Sequence, residues 1–433
     1  MTEIYGVTGS VTGTSVTVRS GGTTAVSAAF ETTVGLVGGY DAANGTATGG
    51  EVVQIESSAE AETAFGGDSE LATQTALAFA NGAGLVYAAP PAETEATETV
   101  TTASSYTLAE PPAFDPRVNT EHTIDITDTT EAVSVTVEYV DGTPTTPADA
   151  NTAEVNPTTG EIAFDELSDY EVVYTYGDYT TAIENVAAKV PRSIGVCTEN
   201  TSVTNTLLSE LNTYDPNFDF MHGYVGDHVP EVSSYTNSFD DRRQAFISSA
   251  RAYTDEGETE EVRTVGAVAG KQSGQALGDS TTGESLAGLF SLKTEYSNAD
   301  AGTLIDAGVY VLRTDAGSIE VVKDRNTSTD PRFERIAWSE IVDEATEISN
   351  SISGNFVGKA NTAENRLLLR ESHNTSYREL QNDNLLDAFN VAVSVGADDN
   401  TVNLDIGLDV VDYMDRINVT ITVGDVVLNG GAV

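Results

Sequence analysis

A multidomain chain of mixed α/β and α+β class is predicted by three features of the sequence. Its 433 residues exceed the roughly 150 typical of one domain. Short runs rich in Val, Ile and Thr alternate with amphipathic helical stretches, and this order changes character twice along the chain. Gly, present 38 times, punctuates the runs as turns and helix ends.

The first 29 residues alternate β-formers with Gly and Ser turns, as around Val11, Val16 and Val18, and carry few large side chains. They read as an extended N-terminal arm. A split α/β middle domain is predicted over 30–98 and 187–285. Its first half places strands at 34–38, 51–55 and 85–89 and helices at 58–66 and 69–80. Ser69 is expected to cap the second helix, because its hydroxyl can accept an orphan first-turn amide, and Asn81 and Gly82 to end it. Residues 92–102 are nearly all Ala, Glu and Thr and read as linker. A β-sandwich inserted at 99–186 is expected next, with strands at 123–126, 132–140, 161–164 and 170–176 parted by Asp-Gly and Asn-Pro-Thr-Thr-Gly turns. The host pattern then resumes with a strand at 193–197, a helix at 204–211, a strand near 218–223, helical periodicity over 241–253 and a strand at 262–269.

A C-terminal α+β domain is predicted over 286–423. It comprises a helix at 298–307, a strand pair at 308–313 and 318–323, long amphipathic helices at about 333–354 and 361–382, and strands at 390–395, 402–409 and 418–423. Residues 424–433 form a second arm. Its strand at Val426, Val427 and Leu428 has little to pair with in its own chain and suits completion of a neighbour's sheet.

Asp and Glu number 68 against 20 Lys and Arg, a net charge of −48, and only five of the basic residues are Lys. In dilute buffer such like charge opposes compaction, whereas at about 1 M salt the Debye length is roughly 3 Å and the repulsion is screened. The acids are spread along the chain, so a salt-loving source is expected rather than one acidic tail. Nucleic acid is excluded as a partner by the same balance. The single Cys197 excludes an internal disulfide, and no Cys pair at zinc-site spacing is present. With neither a signal-like start nor an apolar run of about eighteen residues, a soluble chain made in the cytoplasm, without membrane insertion, is expected.

No catalytic, cofactor-binding or metal-binding set emerges, and the chain is not expected to be an enzyme. Residues 266–273, Gly-Ala-Val-Ala-Gly-Lys-Gln-Ser, follow an expected strand but miss the spacing of a phosphate-binding loop and place Gln272 where a hydroxyl is needed. His122, His222, His228 and His373 are separate and read as lone surface histidines, and Asp398 with Asp399 as a solvated hairpin tip. The sequons at Asn44, Asn200, Asn326, Asn374 and Asn418 are expected to be idle. Eight of fifteen arginines fall at 313, 325, 332, 335, 366, 370, 378 and 416, from which a less acidic C-terminal domain is expected, its arginines paired internally or facing an acidic subunit.

Two segments carry a telling order of elements. In the first, a Gly-bearing strand at 34–38 precedes Val53 to Ser58, a Phe65-Gly66-Gly67 turn, and a helix running through Phe79 to Asn81-Gly82 before the strand at 85–87. In the second, Val265 to Gly270 is followed by Leu304 to Arg313. Together they resemble the tail sheath family of contractile phages, tailocins and contractile injection systems, 265–270 being similar to the family's Ala-Gly strand and 304–313 to its Leu-to-Gly-Ile-Asn strand. Arg325 to Asp330, followed by Phe333 to Trp338, is similar to its Arg-Thr turn and following helix. The family's Pro-Ala-Asn segment is replaced by 282–288, and its Arg-Arg pair is reduced to Arg335. The resemblance implies a homo-oligomer stacked as hexameric rings around an inner tube, with tail tube, baseplate and tail terminator proteins as partners. It implies a virion tail assembled in the host cytoplasm, or a released injection particle, that contracts to drive the tube through a target envelope. Arms bearing Val11, Val16, Val18, Val426, Val427 and Leu428 would add strands to neighbours, and Arg332, Arg335, Arg366, Arg370 and Arg378 would face the tube. The rival reading is a passive surface-layer protein of a halophile, which predicts a mostly β chain and is opposed by the two long helices at 333–382.

Overall fold

The computed structural model describes residues 32–117, 122–226, 232, 235–248, 250–315, 317–396 and 401–412. Strands β1 (Thr33–Val37), β2 (Val53–Ile55) and β3 (Leu85–Ala89), with helices α1 (Ser58–Phe65) and α2 (Glu70–Ala80), open an α/β layer. The Ser69 hydroxyl caps α2 by accepting the Ala72 amide. The chain then leaves through β4 (Ala92–Thr107), β5 (Asp125–Asp128), β6 (Val133–Tyr139), β7 (Thr152–Asn156) and β8 (Glu161–Asp178). It returns by α3 (Tyr179–Ala187) to β9 (Ser193–Val196), α4 (Thr201–Tyr214), β10 (His222–Gly226) and β11 (Gln244–Ile247).

Six of these strands align as β11-β10-β9-β1-β3-β2, all parallel except β2. Parallel strands covered on both faces must be apolar throughout, which is why β1 and β9 stand out in sequence as unbroken runs. On one face Val34 and Leu36 pack with Leu71, Ala78, Val268 and Tyr224. On the other, Val37, Ile194 and Val196 meet Ile183 and Val186 of α3 and Leu207 and Leu211 of α4.

The insertion is one five-stranded sheet, not two stacked ones. Strand β8 pairs with β5 through Val172↔Ile126 and with β7 through Phe164↔Ala153, so the sheet curls back on itself around Phe164, Tyr170 and Val155. The segment 92–102, expected as linker, lies in β4, which pairs with β8 from Ala92↔Asp178 onward. Its alternating Thr supplies the β-branched positions, and the partner strand supplies the order that composition alone does not. The expected strands at 161–164 and 170–176 are parts of the single strand β8.

Two short sheets flank the layer. The first joins β12 (Arg251–Tyr253) and β13 (Glu261–Arg263) to β15 (Ser291–Leu292); the second orders β14 (Ser285–Leu286), β17 (Ser318–Val321) and β16 (Leu312–Asp315). Between them lie α5 (Val265–Gly274) and α6 (Asn298–Asp306). Helical periodicity over 241–253 gives way to β11 and β12 because Ala245, Phe246 and Ile247 complete the central sheet beside β10. The strand expected at 262–269 ends at Arg263, and α5 takes over. Gly266 and Gly270, one helical turn apart, explain the change. A Cβ on Gly266 would stand 2.3 Å from the Gln74 carbonyl oxygen, and one on Gly270 2.4 Å from that of Ala78. Helices α2 and α5 thus touch backbone to backbone. Helices α7 (Ile336–Gly354) and α8 (Ala363–Asn382) and strands β18 (Leu386–Val395) and β19 (Val402–Val410) complete the described chain.

Gly270→Ala is expected to lower stability by about 1–3 kcal/mol through overpacking against the Ala78 backbone, read from urea unfolding midpoints. An exposed control, Gly354→Ala, whose Cβ would meet nothing within 4 Å, should lose none.

Candidate assembly surface and the ionic junctions behind it

Helix α7 starts in the main core, where Ile336 is buried, and ends in a separate small one. There Ile341 and Ala345 meet Tyr377 and Leu380 of α8 and Leu386 and Val391 of β18. The Tyr377 hydroxyl donates to the Ala345 carbonyl at 3.0 Å and ties the two helices together. Strands β18 and β19 pair antiparallel from Leu386↔Val410 to Val395↔Val402, and among the described residues neither has a second neighbour. Alternate positions of β19 are half-buried, and among the described residues neither outer edge of this ribbon has a strand partner, the feature that lets another strand add to a sheet. Where α8 runs beside β18, a groove of about 430 Å³ is lined by Arg370, Asn374, Arg378 and Gln381 on one side and by residues 388–391 on the other.

Two of the arginines singled out in the sequence therefore share one groove, and the other three do not. Arg332 is exposed and bonded to Asp330, and Arg366 is half-buried against the Asn361 carbonyl. Arg335 is only 3% exposed, with its guanidinium 5.3 Å from the Trp338 ring, so it presents no charge to a partner. Between 313 and 416 the chain has 20 carboxylates against 10 Lys and Arg, two to one, where the whole chain has 68 against 20; the region is richer in basic residues than the rest but still net negative. Val11, Val16, Val18, Val426, Val427 and Leu428 lie outside the described residues, as do the expected strand at 418–423 and the Asp398-Asp399 tip.

The arginines that matter to the architecture are others. Arg251 on β12 is buried and meets Glu199 at 2.5 Å and Glu261 at 2.8 Å within the core, and Asp115 and Asp141 of the insertion, each at 3.1 Å. Arg263 extends the network to Glu70 at 2.7 Å and Glu199 at 2.8 Å. Burial alone would raise the Asp115 carboxyl, but bonding from Arg117 and the charges of Arg251, Arg117 and Arg263 hold it well below the usual range. Glu199 is lowered against burial by Arg263 and Arg251. A second junction fastens α7 to the sheet. Arg243 bonds Asp343 at 2.6 Å and Asp215 at 2.6 Å, and Arg192 bonds Glu340 at 2.9 Å.

The remaining candidates resolve simply. Residues 266–273 lie in α5, where Lys271 pairs with Glu284, so no phosphate loop exists there. His222 and His373 are buried, not at the surface: His222 sits 3.6 Å from Asp343, and His373 bonds the Leu369 carbonyl. Asn200 and Asn326 of the sequons are buried, and so is Cys197. Among the described residues no group of three or more His, Cys, Asp or Glu could hold a metal, and no helix is long and apolar enough to cross a membrane.

This architecture is the fold of contractile tail sheath proteins. Residues 328–424, which include α7, α8, β18 and β19, match the phage tail sheath C-terminal domain. The chain is similar to the helical sheath of the anti-feeding prophage in its contracted state, with 12% identity, 96% of this chain and 99% of that one covered, and a TM-score of 0.58. It is similar also to the sheath tail protein of Listeria innocua, at 16% identity, 88% and 92% coverage and a TM-score of 0.54. The contracted sheath complex of the PVC extracellular contractile injection system matches at 12% identity, 91% and 92% coverage and a TM-score of 0.55. No curated protein matches at the level of sequence.

Replacing Arg251 by Met leaves Glu199 and Asp115 buried without their shared partner and is expected to destabilise the chain by about 3–5 kcal/mol in urea unfolding. The depressed carboxyls set the pH dependence. Their contribution is fully present above the unfolded carboxylate range and is lost progressively as pH falls below about 4 toward the depressed folded values, so the gap between Arg251→Met and the parent should narrow steadily over that range.

Proposed function

We propose that the chain is the subunit of a contractile tail sheath. It polymerises as stacked hexameric rings around an inner tube, and its contraction drives the tube through a target envelope. The observation that carries this reading is the match of 328–424 to the sheath C-terminal domain, on a chain whose fold follows a contracted sheath over 96% of its length. The role is mechanical. Two rigid bodies, the sheet core with its clamped insertion and the α7–β19 unit, would hold their shape while the segments joining neighbouring subunits bend. The unpaired edges of β18 and β19 would receive strands from the arms of adjacent copies, 1–29 and 424–433. In this scheme Arg370 and Arg378, rather than Arg335, are the charges available to an acidic tube surface. Tube, baseplate and terminator proteins would be the partners, in a virion tail or a released injection particle, with neither nucleic acid nor membrane insertion required.

A net charge of −48 per copy makes stacking of identical subunits repulsive unless it is screened. Assembly in a salt-rich medium follows from that balance. Ultracentrifugation of the purified chain should therefore give a fast-sedimenting species at about 3 M salt that dissolves as salt falls toward about 0.1 M, where the Debye length reaches roughly 10 Å. A chain ending at residue 412 should stay monomeric at every salt concentration while keeping its circular dichroism. Polymerisation of that shortened chain would overturn the strand-exchange scheme.

A further inference from the structure

The start of α7 holds a buried acid that neither the sheath reading nor the ionic junctions use. Helix α7 begins without a side-chain cap of its own, since Arg335 at the cap position makes no such bond. A residue from outside the helix stands in. Asp324, which follows β17 and is 0% exposed, accepts the Ala337 amide on Oδ2 at 3.2 Å. Its backbone amide donates to the Thr282 hydroxyl at 2.9 Å, which fixes the residue in place. Its other carboxyl oxygen, Oδ1, has no hydrogen-bond partner.

The surroundings are poor company for a negative charge. On α7 stands Glu340, held by Arg192, and at its cap position Arg335. The central sheet contributes Tyr224, whose hydroxyl is buried without a partner, and the chain before β16 contributes Tyr310, whose hydroxyl bonds that of Thr281 at 2.8 Å. From α5 comes the neutral Gln272, which donates to Glu340 at 3.2 Å. Two influences favour the carboxylate: the first-turn amides of α7 and the Arg335 charge. Two oppose it, complete burial and the negative Glu340.

We propose that Asp324 is a proton-dependent latch between the core and α7: protonated, it seals the start of the helix onto the core, and ionised it weakens that seal and with it the hold on the C-terminal unit. Burial wins the contest, and the Asp324 carboxyl is pushed up to about 6. The sign follows directly. A carboxyl that binds its proton more tightly in the folded state contributes stability that is fully present below the unfolded value near 3.8 and is lost as pH rises to about 6. This is opposite to the Arg251 junction, whose carboxyls are depressed. It is a property of the single subunit and holds whether or not the chain forms a sheath.

The test is urea unfolding of the full chain and of Asp324→Asn between pH 4 and pH 8 at constant molar salt. All other carboxyls are common to both, so their ratio isolates Asp324. The folding constant of the parent should fall about a hundredfold relative to Asp324→Asn between pH 4 and pH 7, the two-unit rise converted by linkage. A flat ratio overturns the latch, and so does a ratio that rises with pH, the result expected of an ordinary ionised cap. Should Asp324→Asn fail to fold, hydrogen exchange of the parent decides. Corrected for intrinsic rates and referred to α2, amides of 336–345 should exchange faster at pH 7.5 than at pH 5, and equal or slower exchange refutes the proposal.

Discussion

The architecture depends on where a very acidic chain spends its few arginines. Of the thirteen among the described residues, six are buried: Arg192, Arg243, Arg251, Arg263, Arg325 and Arg335. They do not offset the surface charge. Instead four of them, Arg192, Arg243, Arg251 and Arg263, join elements distant in sequence, as Arg251 joins the insertion to the sheet core through Asp115 and Glu199, and Arg243 joins α7 to the sheet through Asp343. Guanidinium suits this work because its planar fork satisfies several carboxylate oxygens at once and stays charged when buried. Removing one of these arginines leaves its buried carboxylates short of compensating charge, so each junction makes its position hard to vary.

How much of this was legible in the sequence follows from the range of each signal. Strands β1, β3 and β9, the caps at Ser69 and Asn81, and helices α7 and α8 rest on local rules, period and capping, and were readable. Helix α3 has an equally local pattern, with Tyr179, Ala182, Ile183, Val186 and Ala187 buried on one face, but it follows directly on a long strand, which masks its start in sequence. Elements set by a partner were misread. The Ala-Glu-Thr stretch of β4 is a strand only because β8 lies beside it, and 244–247 is a strand only because β10 does. The stretch 262–269 is strand-like in isolation; only the facing backbone of α2 at Gly266 and Gly270 shows that it opens a helix seam. The resemblance points Arg335 toward the tube, and its burial is a property that sequence does not report.

The assembly surface we propose follows from what the junctions leave free. With the insertion and α7 fastened to the core, the described residues present one ribbon, β18 and β19, with both edges unpaired, and one groove carrying Arg370 and Arg378. Edges invite strands, and under the proposed sheath role a strand-exchanging subunit would need bodies stiff enough to transmit force between copies. Screening by salt would be the remaining condition, because each copy would bring a net charge of −48 to its neighbours.

Electron microscopy of the purified full chain, negatively stained after incubation at about 3 M salt to keep its charges screened, tests the sheath reading most directly. Hollow cylinders with regular cross-striations are the predicted result. Dispersed globular particles at every salt concentration tried would contradict it.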